Sequence, residues 1–325
     1  MRALITGITG FVGSHLARRL TERGWQVFGL AHGPAPAALA AFDVRQVDVA
    51  DQTSLQRTLE EIDPQLIFHL AGLAHVGASW QRPGDYLRVN FTGTRHLVAA
   101  ALRLHPGAPP PRILFASSAE VYGQVSPEQQ PLEESRQVEP RSPYAMTKAC
   151  GEVLVAENQG IVVRSFNAIG PGQSRLFALP SFAWQLARIH LGRQPPVLKV
   201  GDLSPRRDFL PIEDAVDGYL TLAEQGRAGE TYNVASGRAL AIGDALALLQ
   251  KISGVEAEVT VDPALVRKID IPLLLGDIRK IEALGWRPRR SLEETLVAVW
   301  RSTLETARAE AIEEDAGAAR VESPR

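Results

Sequence analysis

The sequence predicts an α/β protein built on a doubly wound parallel sheet, followed by a smaller α/β domain. Three observations carry this. Short apolar runs alternate with amphipathic stretches over the first two-thirds of the chain. A glycine loop follows the first apolar run. After Arg164 the alternation gives way to a stretch rich in Pro and Gly. Strand and helix in alternation mean βαβ units, and strands buried on both faces read as continuous apolar runs.

In chain order, strands are predicted at Ala3–Thr6, Gln26–Leu30, Gln65–Leu70, Arg112–Ala116 and Ile161–Arg164, with a further short one just before Val47-Asp48-Val49. Helices are predicted at Val12–Arg23, Ser54–Ile62, Asp85–Leu104 and Tyr144–Glu157. The second domain is expected to contain a helix near Phe182–Leu191, a helix at Ile242–Ser253, a strand at Glu258–Val261 and a helix at Ser291–Leu304. A strand at Thr231–Val234 returns to the first domain. The expected division is residues 1–165 with about 211–236 as one domain, and 166–210 with about 237–306 as the other. The stretch 307–325 is acidic, Ala-rich and poor in large apolar residues, and is expected to be a flexible tail.

Composition excludes several classes of function. The 325 residues are 45% hydrophobic and 22% charged, as in an ordinary folded enzyme. Against 37 Asp and Glu stand 35 Lys and Arg, so the net charge is -2 and neither nucleic acid nor an anionic membrane is an expected partner. The single cysteine, Cys150, rules out an intrachain disulfide and a Cys-based metal cluster, and fits a reducing cytoplasm. No apolar stretch of signal-peptide or membrane-spanning design is expected, and no metal.

The glycine loop is Gly7-Ile8-Thr9-Gly10-Phe11-Val12-Gly13, between the first strand and the first helix. Gly7 allows a sharp turn, Gly10 lets backbone approach a pyrophosphate, and Gly13 allows helix to pack closely on strand. The helix N-terminus offers unpaired N–H groups to the anion. Placed between strand and helix, the loop is expected to be a Rossmann-type dinucleotide site, the competing reading being a tight structural turn. The acidic residue that would bind the adenosine ribose at the end of the second strand is missing: the strand ends Leu30-Ala31-His32-Gly33. A 2′-phosphate is therefore not repelled. NADP(H) is favoured and NAD(H) is permitted, with His32 either a candidate phosphate contact or, as the favoured reading, an ordinary exposed loop histidine. Asp48 either bonds the adenine amino group or caps a turn.

Tyr144 and Lys148 lie four apart at the start of a predicted helix and so share one face. The ammonium can then lie near the phenol, lowering its pKa, and near a bound ribose. Ser118 lies just past the strand at Arg112–Ala116, at the carboxyl edge of the sheet where ligands bind.

With these residues in order, the chain resembles the extended short-chain dehydrogenase/reductases that act on nucleotide sugars. Supporting runs are His69-Leu70-Ala71-Gly72, Val89-Asn90-Phe91-Thr92-Gly93-Thr94 and Tyr232-Asn233-Val234-Ala235-Ser236-Gly237. The resemblance implies hydride transfer between a nicotinamide and a sugar carbon, commonly C4. Tyr144 would be the acid/base, Lys148 would also hold the nicotinamide ribose, and Ser118 would bind the reacting oxygen. It also implies cofactor contacts from Thr9, Phe11, Val12, Val49, Leu70 and Ala71. A homodimer through the helices at Asp85–Leu104 and Tyr144–Glu157 is implied as well.

Further runs look like those of GDP-4-keto-6-deoxy-D-mannose reductases: Arg164 to Gln173, Gly201 to Phe209, and Gly276-Asp277 through Leu284-Gly285-Trp286. A GDP-sugar substrate follows, reduced at C4 to GDP-D-rhamnose. By the same resemblance Asn167, Arg207 and Arg267 would hold the diphosphate and Asp270 a ribose hydroxyl; the competing reading of Arg207-Asp208 is a surface ion pair. The related GDP-mannose 4,6-dehydratases share much of the pattern, and a dehydratase or epimerase is the alternative. A dehydratase needs an added acid/base group beside the tyrosine. This chain has Ala119 where related dehydratases carry a polar or acidic residue, while Glu120 remains as a candidate base. A non-catalytic dinucleotide sensor would have no need of Ser118, Tyr144 and Lys148 together.

Overall fold

The computed structural model describes residues 1–266 and 271–321. Its strands are β1 (Arg2–Thr6), β2 (Gln26–Ala31), β3 (Asp43–Gln46), β4 (Leu66–His69), β5 (Arg112–Ser118), β6 (Ile161–Ser165), β7 (Asn167–Ile169), β8 (Val197–Val200), β9 (Arg206–Pro211), β10 (Thr231–Val234), β11 (Ala239–Ala241), β12 (Glu258–Val261) and β13 (Leu273–Leu274). The helices are α1 (Phe11–Glu22), α2 (Gln52–Ile62), α3 (Val76–Gln81), α4 (Pro83–Tyr86), α5 (Gly93–Arg103), α6 (Pro143–Glu157), α7 (Ala178–His190), α8 (Ile212–Gln225), α9 (Ile242–Ser253), α10 (Arg279–Glu282) and α11 (Leu292–Val321).

Seven strands form one parallel sheet in the order β10-β6-β5-β4-β1-β2-β3. Its central strands are apolar throughout: Ala3, Leu4 and Ile5 of β1 and Ile67 and Phe68 of β4 are fully buried. On one face Leu16 and Leu20 of α1 and Val216, Tyr219 and Leu220 of α8 close the core. On the other, Leu55 and Leu59 of α2, Leu97 and Ala101 of α5 and Val155 of α6 do so. Strand order reverses direction between β1 and β4. The loops leaving those two strands diverge there, and the resulting crevice is where this architecture takes a ligand.

A second core lies beyond the sheet. Leu186 of α7, Leu198 of β8, Leu249 of α9 and Trp300 of α11 meet in it. The small strands β7 and β11 flank β9, and β12 pairs with β8.

Three differences from the sequence expectations have physical causes. The helix predicted over Asp85–Leu104 is interrupted by a π-helical turn at Leu87–Thr92 between α4 and α5. There the Asn90 side chain bonds to a neighbouring loop, and the Thr94 hydroxyl takes the Asn90 carbonyl at 2.5 Å. Helix α8, unmarked in the sequence, is amphipathic, with Glu213 and Asp214 in its first turn. The stretch from 307, expected as a flexible tail, continues α11 to Val321. Its small residues are what allow this: Ala307 and Ala311 are buried on the second core. The acids of the same stretch meet bases near α7, Glu310 with Arg175 and Glu314 with Arg188.

Candidate active site

The glycine loop leaves β1 at the crevice. Gly7 has φ of +73°, and a Cβ there would lie 2.9 Å from the Ala71 backbone. A Cβ on Gly13 would lie 2.4 Å from the Gly7 carbonyl oxygen. Both glycines are thus demanded by the protein's own packing. Gly10 is different. It is the N-cap of α1 with an ordinary φ of -76°, and its Cβ would meet only the Gly7 carbonyl, at 3.1 Å. The room left there fits close approach of a phosphate, with the first N–H groups of α1 behind it and no acidic side chain in the first turn.

Leu70 and Ala71 follow β4 and pack against the Gly7 turn of this loop. Asp48 accepts a bond from the Ala50 N–H at 2.9 Å, which is the turn-cap reading, and its other oxygen accepts from Arg88 at 2.7 Å. Burial raises its pKa, but these two donors outweigh burial and hold the carboxyl below its usual range. His32 is exposed, with Nδ1 3.8 Å from Asp48. Val49 is buried and packs where Gly93 leaves space.

At the carboxyl end of β5, the Ser118 hydroxyl accepts from the Glu120 N–H at 3.2 Å, capping the short turn at Ala119–Tyr122. Ala119 is fully buried and Glu120 is partly exposed. Helix α6 begins with Pro143 after a Ser142 cap. That start places Tyr144 in the first turn, with its ring edge-on to Tyr86. Burial pushes the Tyr144 phenol up to about 12, against the pull of a hydrogen bond with Ser118. Lys148 lies one turn on and is buried; burial draws its amine down to about 8, opposed by Glu152. The amine donates to the Ala116 carbonyl at 2.7 Å.

One expectation and one competing reading change here. Lys148 does not lower the phenol: its bond goes to the β5 backbone, and burial, Ser118, Glu120 and Tyr86 set the Tyr144 pKa instead. Nor do Arg207 and Asp208 form a surface ion pair. Arg207 is buried and donates to the Ile271 carbonyl at 2.6 Å. Asp208, also buried, collects the N–H groups of Ser236, Gly237 and Gly276 and the Ser236 hydroxyl. Burial raises its carboxyl to about 6 in spite of them. Asn167 is exposed on β7. Arg267 and Asp270 lie outside the described residues.

Some side chains that shape the site escaped the sequence reading. Asn90 accepts from the Leu73 N–H at 2.8 Å and donates to Thr147 at 3.2 Å. Beneath Ser118, Glu152 is buried, accepts from Ser117 and pairs with buried Arg164 at 2.7 Å. The guanidinium lies over the Tyr122 ring. The one available signal was a charged residue inside an otherwise apolar run, as at Arg164. Among the described residues, no group of three His, Cys, Asp or Glu could hold a metal ion, and no helix is long and apolar enough to cross a membrane.

The family model described as GDP-mannose 4,6 dehydratase matches residues 4–299. GDP-6-deoxy-D-mannose reductase of Pseudomonas aeruginosa is 35% identical over 93% of this chain and 97% of its own length. GDP-mannose 4,6-dehydratase of Yersinia enterocolitica is 27% identical over 96% of each chain. Among solved structures, RMD from Pseudomonas aeruginosa complexed with NADPH superposes with a TM-score of 0.83 at 32% identity, covering 94% of this chain and 99% of that one. Thermus thermophilus UDP-glucose 4-epimerase, in complex with NAD, has a TM-score of 0.83 at 27% identity, covering 93% and 99%. With a match over nearly the whole sheet and second core, the chain belongs to the GDP-mannose 4,6-dehydratase family, within the extended short-chain dehydrogenase/reductases.

Proposed function

We propose that the protein reduces the C4 ketone of GDP-4-keto-6-deoxy-D-mannose, yielding GDP-D-rhamnose, with NADP(H) favoured over NAD(H). The carrying observation is the placement of Tyr144, buried in the first turn of α6 beside Ser118 and one turn from buried Lys148. A phenol pushed up to about 12 keeps its proton at neutral pH, which is what a reduction asks of its acid. Ser118 bonds with that phenol and holds the C4 oxygen beside it. Tyr144 gives its proton to that oxygen as negative charge develops there. Lys148, fixed by the Ala116 carbonyl, holds the nicotinamide ribose. Bound in the crevice, the nicotinamide supplies the hydride. Residues 1–165 with 211–236 form the dinucleotide side, and 166–210 with 237–306 the sugar-nucleotide side, with Asn167 and Arg207 as diphosphate contacts.

Ala119 supports reduction over dehydration: it is fully buried and can transfer no proton. Glu120 is what favours the second reading, a 4,6-dehydratase, since a carboxylate beside Tyr144 is a usable base. The two part in one assay. With the keto sugar, one NADPH is consumed per sugar reduced. With GDP-mannose and oxidised cofactor, a dehydratase releases water with no net change in cofactor, and mass spectrometry reads the loss.

We also infer a cytoplasmic homodimer. The single cysteine supports the compartment. Exposed Met146, Cys150 and Val153 form one stripe on α6, beside exposed Leu102 of α5. Light scattering on the eluting protein tests it; a monomer at micromolar concentration refutes it.

A further inference from the structure

His69 has no task in the reduction just described, yet it is fully buried at the carboxyl end of β4, beside the crevice. Burial, aided by the charge of Lys148, draws its pKa down to about 3, so the ring is neutral. Its Nδ1 lies 2.7 Å from the Thr6 hydroxyl and its Nε2 lies 2.9 Å from the Thr94 hydroxyl.

The proton positions follow from the neighbours. The Thr94 hydroxyl donates to the Asn90 carbonyl at 2.5 Å, so toward His69 it can only accept. The Nε2 therefore carries the hydrogen. Nδ1 is then the bare acceptor, and the Thr6 hydroxyl donates to it. The Thr6 oxygen keeps a lone pair for the Ala71 N–H, 3.1 Å away. Every donor points the same way, from Ala71 through Thr6, His69 and Thr94 to the Asn90 carbonyl. Chains aligned like this strengthen each link.

The Asn90 side chain closes the circuit. It accepts from the Leu73 N–H at 2.8 Å, and its amide donates back to the Leu73 carbonyl at 3.1 Å. The ring of bonds runs 71, 6, 69, 94, 90, 73, and Gly72 lies between its ends. A Cβ on Gly72 would stand 3.0 Å from Asn90 Oδ1 and 3.4 Å from Lys148 Nζ. At the other end, Ala71 is the backbone against which Gly7 is wedged. The circuit therefore spans from the glycine loop to the lysine.

We propose that His69 is a positioning residue: through this circuit its Nε2–H imidazole holds the 71–73 loop between the glycine loop and Lys148, and so shapes the nicotinamide-ribose end of the cofactor site. Imidazole suits the task because one flat ring offers a donor and an acceptor on separate edges.

The test uses Thr94→Val, which keeps the shape and deletes the acceptor, and Thr94→Ser, which restores the hydroxyl. Fluorescence titration gives the NADPH Kd, steady-state kinetics give kcat and the sugar KM, and melting curves give stability. Thr94→Val is expected to weaken NADPH binding and slow turnover roughly five- to a hundredfold, the range set by one unmade buried hydrogen bond. The sugar KM should stay within about twofold, and Thr94→Ser should recover most of the loss. A Thr94→Val protein that melts earlier yet binds NADPH and turns over like wild type makes His69 mere packing and overturns the proposal. Nitrogen-15 NMR of the wild-type histidines keeps the proposal exposed should that variant not fold. Protonated Nε2 with bare Nδ1 at neutral pH supports it; the other tautomer, or a charged ring, overturns it. Failure of the wild type to bind NADPH would strike the dinucleotide site itself, a result separable from either.

Discussion

Tyr144→Phe isolates one oxygen atom. The ring is buried and edge-on to Tyr86, so phenylalanine keeps the packing. For stability, two effects oppose each other. The hydrogen bond with Ser118 is lost, and a buried hydroxyl no longer has to be satisfied. Each is worth about 1 kcal/mol, so the melting temperature should move by only a few degrees. For the reaction nothing offsets the loss. The phenol, at about 12, is the group that holds a proton at neutral pH beside Ser118. Losing a general acid costs about 10²–10⁴ in rate, or roughly 2.7–5.4 kcal/mol at 1.36 kcal/mol per decade. The assay follows NADPH absorbance with the 4-keto sugar at saturation, with the cofactor Kd measured alongside. The expected pattern is a collapsed kcat, a cofactor Kd near wild type and a melt within a few degrees of wild type. Turnover within about threefold of wild type would refute Tyr144 as the acid.

Lys148→Met should weaken NADPH binding and turnover yet stabilise the cofactor-free protein near neutral pH. A shift from 10.5 to about 8 corresponds to about 3 kcal/mol against the buried ammonium. The folded wild type binds fewer protons than the unfolded chain between pH 8 and 10.5, so its stability rises with pH across that window; melts from pH 7 to 11 should show the rise in wild type and not in the variant. Gly10→Val should fold and fail to bind NADPH by calorimetry, whereas Gly13→Val, with its Cβ 2.4 Å from the Gly7 oxygen, should fail to fold, read by circular dichroism. Ending the chain at Thr306 removes buried Ala307 and Ala311 and the partners of Arg175 and Arg188; a lower melting temperature is expected, and an unchanged melt would show that the last turns of α11 contribute nothing.

Much of the sheet could be read from the chain because its signals are local. An apolar run such as Leu66–His69 and the Ser142-Pro143 start of α6 are each complete within a few residues. The glycine loop is of the same kind. The features that went unread depend on partners far along the chain. Nothing near Thr94 announces that its hydroxyl meets a histidine 25 residues away, and so the π turn at Asn90 was unforeseen. The lowering of the Tyr144 pKa was a spacing argument that ignored burial, which acts from all sides at once. A surface ion pair was the competing reading of Arg207-Asp208, because adjacent opposite charges usually form one. On a strand with neighbours on both sides, adjacent side chains point to opposite faces and find separate partners.

Asn233 lies on β10, at the edge of the large sheet. Its side chain accepts from Tyr122 at 2.7 Å and donates to the carbonyls of Leu132 and Asp277 at 2.8 and 3.1 Å. One amide thus fastens three stretches of chain that are far apart in sequence, 122–132, 233 and 277, the last of them returning from beyond the second core. The backbone also passes between the two cores repeatedly, from β6 to β7, from β9 to α8 and from β10 to β11. The two halves should therefore melt in a single calorimetric transition, and neither should survive being expressed alone. The second core is then open to change by substitution within one cooperative unit, and its exchange as a whole module should unfold the rest.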